Sequence, residues 1–334
     1  LPAAKGHTMN TRTLALSAFA LLAAAASLAA APAPAFPKTW VNSDPMSLSA
    51  LKGKVTVLYF YEEDCPRCRG KWPTIMESAA KYEGKPVVFI AVNSGNEEGP
   101  VKGYVKGVGL TWPTIVDSSR AFEKAAGVGT ISTSNIWQMR VIGPDLSLHI
   151  GNPDDFAGSI DYLLAKASWK VDPAIVPDGL KSAWKAVEFG DYVSAMSTVR
   201  RAMSAPNEEY KTAGEAMNKA IESDLAALLA QAQSAEKAGK KWEAYKLYKE
   251  LTVSFRGHAQ ATEASKTLRT LGADKDLKDE IKAMGAFEKA EELLSSRNRQ
   301  QRRQGVTYLE AIIEQYPDTE AGRLAAGLKE SVEE

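Results

Sequence analysis

Cysteine is nearly absent from this chain: its 334 residues contain two, Cys65 and Cys68. So small a supply excludes a disulfide-built scaffold. There is no second CxxC, and the three histidines, His7, His149 and His258, lie far apart, so the four ligands of a closed zinc site are missing as well. Net charge of either sign is lacking too, with 41 basic residues against 41 acidic ones, which removes the bulk attraction that a nucleic-acid partner requires. Neither a metal nor a nucleic acid is expected.

Long apolar runs are missing except near the N-terminus. There Met9-Asn10-Thr11-Arg12 gives a short basic start, Leu14 to Ala30 is almost continuously apolar, and Ala33-Pro34-Ala35 supplies small residues at a cleavage spacing. This is the pattern of a secretory signal peptide, so residues 1–35 are assigned as leader and the protein is expected to be exported, periplasmic or otherwise extracytoplasmic. The stretch is marginal as a membrane span, and no charged stop-transfer cluster follows it; retention as an N-terminal anchor is the alternative.

What is present is the adjacency of the two thiols. Cys65-Pro66-Arg67-Cys68 follows the strand-like run Val55–Tyr61 and precedes a segment of helical length, Arg69–Tyr82. A sulfur at a helix N-terminus meets unpaired N–H groups and the positive end of the helix dipole, which favour the nucleophilic thiolate. A structural disulfide closing so short a loop would restrain the unfolded chain little. Cys65 and Cys68 are therefore the candidate catalytic pair, with Asp64, Pro66 and Arg67 modulating the thiolate. Arg67, Arg69 and Lys71 favour that thiolate while Glu62, Glu63 and Asp64 oppose it, and a moderately lowered Cys65 pKa is expected. The acidic run reads either as a solvated loop or as a surface for a basic partner.

From residue 36 to 169 strand and helix signals alternate. Val55–Tyr61 and Val87–Val92 have the continuous apolar character of buried parallel strands and bracket the helical segment as a βαβ unit. Thr114–Val116 and Met139–Ile142 are further strands, Gly143-Pro144-Asp145 is a turn, Leu146–Ile150 is a hairpin partner, and Asp154–Ala167 is a closing helix.

The residues Leu48–Val55, Leu58-Tyr59-Phe60, Cys65-Pro66-Arg67-Cys68, Pro73 and Trp112-Pro113-Thr114-Ile115-Val116-Asp117 together resemble the thioredoxin superfamily, in particular its exported TlpA/ResA-like branch. The resemblance covers roughly residues 38–168 and implies a central mixed sheet flanked by helices, disulfide exchange with protein thiols, and no cofactor beyond the redox-active disulfide. It implies that Pro73 kinks the active-site helix by removing a backbone donor. Three positions depart from the pattern. Asp64 replaces an aromatic before the first cysteine, and Tyr59 replaces a buried carboxylate. The cis-proline that faces the disulfide is also missing, for no proline lies between Pro113 and Pro144. Its place falls near Ile136 or Trp137, which become the candidate partner-facing residues. A thiol peroxidase is disfavoured, because the threonine such sites keep three residues before the reactive cysteine is Glu62 here.

After the linker 170–179, which carries two prolines and a glycine, strand signals vanish. Residues 180–334 read as an all-α domain of about six or seven helices. Trp242, Tyr245, Tyr248 and Leu251 form one apolar stripe, and Val306, Leu309, Ile312, Ile313 and Tyr316 another. Gly190 and Gly239 each stand five residues before a small alanine, and the arrangement resembles tetratricopeptide-type hairpins, with a non-repeat bundle as the alternative. Such a domain would recruit a peptide or protein ligand. The basic run Arg297–Arg303 lacks interleaved aromatics and reads as a solvated helix face. The leading expectation is an exported thiol–disulfide oxidoreductase; the alternative is a largely redox-silent adaptor binding envelope proteins through its helices.

Overall fold

In the computed structural model the described residues are 31–63, 66–132, 135–296 and 298–333. Six strands form one mixed sheet: β1 (Trp40–Val41), β2 (Val55–Tyr61), β3 (Val87–Ser94), β4 (Thr114–Asp117), β5 (Gln138–Ile142) and β6 (Leu148–Gly151), in the order β1-β4-β3-β2-β5-β6. β2, β3 and β4 run parallel, while β5, β6 and β1 pair antiparallel to their neighbours. Four helices accompany them: α1 (Pro66–Ala80), α2 (Glu98–Val108), α3 (Ala121–Ala125) and α4 (Phe156–Leu164).

The central strand explains the layering. Every residue of β2 is buried, as its unbroken Val-Thr-Val-Leu-Tyr-Phe-Tyr run requires of a strand covered on both faces. Val55, Val57, Tyr59 and Tyr61 pack with Trp72 and Ile75 of α1, Tyr104 of α2 and Ile160 of α4. Leu58 and Phe60 pack on the other face with Trp40, Phe122 of α3 and Val128. Successive side chains alternate faces, so the two layers follow from the strand period alone. At α4 the Asp155 carboxylate accepts from the Gly158 N–H at 2.9 Å, the N-cap bond that the acidic start of this helix anticipates.

Three elements are additional to the sequence reading: β1, α2 and α3. The composition of α2, with Gly99, Gly103 and Gly107, opposes a helix, but Val101, Tyr104 and Val105 bury one face of it and tertiary packing overrides propensity. Gly109 ends it in the left-handed conformation at φ 70°.

The helical region holds eight α-helices where about six or seven were expected: α5 (Lys181–Glu188), α6 (Tyr192–Met203), α7 (Glu208–Lys237), α8 (Lys241–Ser254), α9 (Ala259–Gly272), α10 (Lys278–Leu294), α11 (Arg299–Gln315) and α12 (Glu320–Glu333). Gly190 and Gly239 adopt φ 81° and 71° at the α5–α6 and α7–α8 turns, which is why glycine stands there. Sequential helices pack as hairpins around two cores, one from α5 to α9 and one from α10 to α12. Tyr248 and Leu251 belong to the first core, and Leu309 and Ile312 to the second. Among the described residues no helix is long and apolar enough to cross a membrane.

The segment 170–179 is docked rather than free. Val171 and Val176 are buried, and the Glu188 carboxylate accepts from the backbone N–H groups of Lys170 (3.1 Å) and Val171 (2.8 Å). Beside it Lys54, just before β2, meets Glu188 Oε2 at 3.0 Å, with both side chains fully buried. At the opposite end of the sheet Arg302 of α11 pairs with Glu97 at 2.9 Å, and α12 packs on α3. The helical domain therefore touches both ends of the sheet. It also turns one member of the supposedly solvated basic run into an interdomain contact; Arg297 lies outside the described residues. The end of the expected leader is part of the fold too: Ala33 is buried and donates to Leu146 O at 3.0 Å, while Leu148 N–H donates to Ala31 O at 2.8 Å.

Candidate active site

The site is organised by α1, which begins directly after the first cysteine of the CPRC motif. Cys65 and Asp64 lie outside the described residues; Pro66 is the first residue of the helix. Arg67 in the first turn is exposed, whereas Cys68 in the same turn is 1% exposed. The helix axis thus separates a charged outer face from an inner face that holds the second thiol. Pro73 lies inside α1 and removes one backbone donor, as expected.

Beneath α1 the inner face is aromatic. Trp72, one turn beyond Cys68 and 1% exposed, meets the rings of Tyr59 at 5.2 Å, Tyr61 at 5.1 Å and Trp112 at 5.9 Å. Its indole N–H donates to the Tyr104 hydroxyl at 3.0 Å. Burial, reinforced by Tyr104, pushes the Tyr61 hydroxyl well above the usual phenol range, so it stays neutral. Tyr59, at the position where the resemblance implies a carboxylate, is part of this packed, uncharged floor.

On the outer face two of the three cations of α1 are engaged by neighbours. Arg69 lies over the Tyr104 ring at 5.2 Å. Lys71 lies over the Trp137 ring at 4.8 Å and pairs with the Asp154 carboxylate ahead of α4. Their charge near the thiols is correspondingly shared with other groups.

Ile136 and Trp137 occupy the stretch that leads into β5, but they part company across the sheet. Ile136 packs toward the α3 layer and Trp137 toward the α1 layer. Trp137 has φ 67°, a left-handed conformation unfavourable for a bulky L residue, held here by the ring's packing and by Lys71. Among the described residues no peptide bond is cis. An indole therefore stands beside α1 where the resemblance places a compact proline.

Sequence reasoning missed a charged cluster at the same end of the sheet. Glu62, at the exit of β2, pairs with the Arg120 guanidinium, which also reaches Glu123 at 3.2 Å. Asp117, at the end of β4, accepts from the N–H groups of Phe122 (3.2 Å) and Glu123 (2.7 Å), and burial raises its carboxyl to about 6. The spacing Asp117, Arg120, Glu123 is visible in the sequence, but the pairing with Glu62 is not. Among the described residues no group of three or more His, Cys, Asp or Glu side chains is arranged for a metal ion.

The Redoxin family model matches residues 28–142. The thiol-disulfide oxidoreductase ResA of Bacillus thuringiensis (strain Al Hakam) is 32% identical over 102 residues, which cover 30% of this chain and 59% of that protein. ResA of Bacillus subtilis (strain 168) is 28% identical over 102 residues, covering 30% of this chain and 57% of that one. The chain therefore spans less than two thirds of the length of these curated relatives. A thiol:disulfide interchange protein of the thioredoxin family from Chlorobium tepidum TLS has a solved structure that covers 40% of this chain and 97% of its own, at 24% identity and a TM-score of 0.34.

Proposed function

We propose, from the Redoxin match over residues 28–142 and the likeness to ResA, that the protein is an exported thiol–disulfide oxidoreductase of the thioredoxin superfamily acting on protein partners through Cys65 and Cys68. The observation that carries this reading is the placement of Cys68. It is shielded in the first turn of a helix that starts right after Cys65, so it is poorly reachable from solvent yet only three positions from Cys65 in sequence. A resolving thiol needs that combination.

In the reducing direction the Cys65 thiolate attacks one sulfur of a client disulfide, and the other client sulfur leaves as a thiolate and takes up a proton. Cys68 then attacks the mixed disulfide, releasing the second client thiol and closing the Cys65–Cys68 disulfide. The client gains two electrons and this protein loses two; a dithiol partner restores it. The oxidising direction is the same sequence reversed. The helix N-terminus and Arg67 favour the Cys65 thiolate in either direction. The aromatic floor under α1 keeps water from the inner thiol.

The helical hairpins, read as tetratricopeptide-like, recruit a protein or peptide ligand and bring it to the dithiol; their contact with both ends of the sheet supports this division of labour. Export rests on the N-terminal apolar segment, which lies outside the described residues. A second reading, a largely redox-silent adaptor, is favoured by one observation: Trp137 fills the side of α1 from which a client would approach.

A Cys68→Ala variant of the full chain separates the two. Exchange chemistry leaves partners trapped as mixed disulfides on Cys65, lost on reduction and absent from a Cys65→Ala/Cys68→Ala control. An adaptor yields partners that are identical in both variants and insensitive to reductant.

A further inference from the structure

Four chain segments meet at the end of the sheet where α1 begins, and one side chain touches or braces all of them. The Arg120 guanidinium pairs with Glu62, the first residue of the acidic lead-in to Cys65, and with Glu123 of α3 at 3.2 and 3.4 Å. Glu123, whose side chain is 2% exposed, uses the same carboxylate to accept from the Ile131 N–H at 3.0 Å, at the start of the segment that ends in Trp137. The fourth segment follows β3. Gly95 there has φ 88°, and a Cβ on it would fall 2.6 Å from Arg120 Nη2, so only glycine lets the guanidinium lie against this turn. Gly95 N–H also donates to Asp117 O at 2.9 Å, tying the turn to the end of β4.

Arg120 itself has φ 60°, which an L side chain adopts only where its surroundings impose it. The strain is offset by two carboxylates in different segments, reached by one planar fork. A lysine ammonium lacks that planar fork and would hold the two carboxylates with less fixed geometry.

We infer that Arg120 is a positioning residue for the dithiol, holding the strand end that leads to Cys65 and the loop that faces α1 as one unit through Glu62 and Glu123. The inference deepens the oxidoreductase reading and rests on it. Arg120 touches no reacting atom. It cancels the Glu62 charge three residues from Cys65 and fixes where that strand end points. The other charges of the neighbourhood, Glu63, Asp64, Arg67, Arg69, Lys71, Glu97 and Lys124, are left untouched by the test.

The test is a double-mutant cycle on the full chain with Arg120→Gln, Glu62→Gln and both together. It is read as the pH midpoint of Cys65 alkylation in the reduced protein, located by peptide mass spectrometry, and as the thiol–disulfide equilibrium with glutathione. Arg120→Gln uncovers the Glu62 carboxylate, so the midpoint rises and alkylation at neutral pH slows about three- to tenfold. Glu62→Gln moves the midpoint the other way, and in its background Arg120→Gln, acting through its own charge alone and no longer through the strand end, raises it by less. Because losing Arg120 also strips Glu123 of its cation, Arg120→Lys is measured alongside; it shifts the midpoint in the same direction by less. Folded variants that lose thermal stability but keep the wild-type midpoint and equilibrium overturn the inference, as does an Arg120→Gln shift that is equally large without Glu62. A wild-type chain that fails to equilibrate with glutathione, while the midpoints still move as stated, sinks the oxidoreductase reading alone.

Discussion

Replacing Lys54 by methionine should unlock the seam between the two domains. Lys54 Nζ lies 3.0 Å from both Glu188 Oε2 and the Glu188 carbonyl, neither side chain is exposed, and the Trp169 and Phe189 rings each approach the ammonium at 5.7 Å. Burial lowers the Lys54 pKa while Glu188 opposes the shift. Methionine fills a similar volume but leaves the Glu188 carboxylate buried with only the Lys170 and Val171 N–H groups as partners. Breaking one side of a buried pair costs about 3–5 kcal/mol, whereas replacing both sides by neutral groups is often close to neutral. Lys54→Met should therefore lose about 3–5 kcal/mol, and Lys54→Met/Glu188→Gln should lie within about 2 kcal/mol of the wild type. Urea unfolding followed by tryptophan fluorescence and far-UV circular dichroism gives both values. For the wild type the two probes should coincide, because the seam couples sheet and helices into one transition. A single variant that loses less than about 1 kcal/mol, or a double variant worse than the single, would refute the reasoning.

Three further outcomes follow from the geometry. Burial raises the Asp117 carboxyl from 3.8 to about 6, so the folded chain holds its proton longer; the Asp117 contribution to stability is fully present below about pH 4 and is lost, by at most about 3 kcal/mol, as pH rises through 6. Asp117→Asn should flatten that part of the urea-stability profile, and parallel profiles for the two proteins would contradict it. A chain starting at Phe36 gives up the Ala31–Ala33 contacts with the β5–β6 turn and should melt lower than one starting at Ser27; equal melting temperatures would show the contacts to be dispensable. Trp137→Gly relieves the left-handed backbone by about 1 kcal/mol but forfeits the ring's packing on the α1 layer and its Lys71 contact, so stability falls. The open flank should speed exchange with a small disulfide, and an unchanged rate would mean that the indole does not guard the dithiol.

Much of the sheet is legible in the sequence. β2 matches the expected Val55–Tyr61 to the residue, because a strand buried on both faces is an uninterrupted apolar run with sharp ends. β1 was not readable, since two residues, Trp40–Val41, show no period of their own and become a strand by pairing with β4. α2 was hidden by three glycines, and its reality depends on what Val101, Tyr104 and Val105 meet. The Cys65 and Cys68 pair stands out in the sequence by its spacing, whereas the charged surroundings of α1 do not. Glu62 looked like part of a free acidic run until its partner, Arg120, arrived from 58 positions away. Arg302 likewise belonged to a basic stretch with no visible purpose until α11 brought it to Glu97. Side-chain pairs between distant segments leave no local period, so neither composition nor spacing reveals them.

The most direct measurement is the redox equilibrium of the full chain with glutathione, quantified as the fraction of Cys65 and Cys68 protected from alkylation. An exchange dithiol gives one reversible two-electron transition in which both cysteines are protected together, with a single internal disulfide as the oxidised product. Two thiols that respond independently, or a pair that stays in one state across the whole range of glutathione poise, would contradict it.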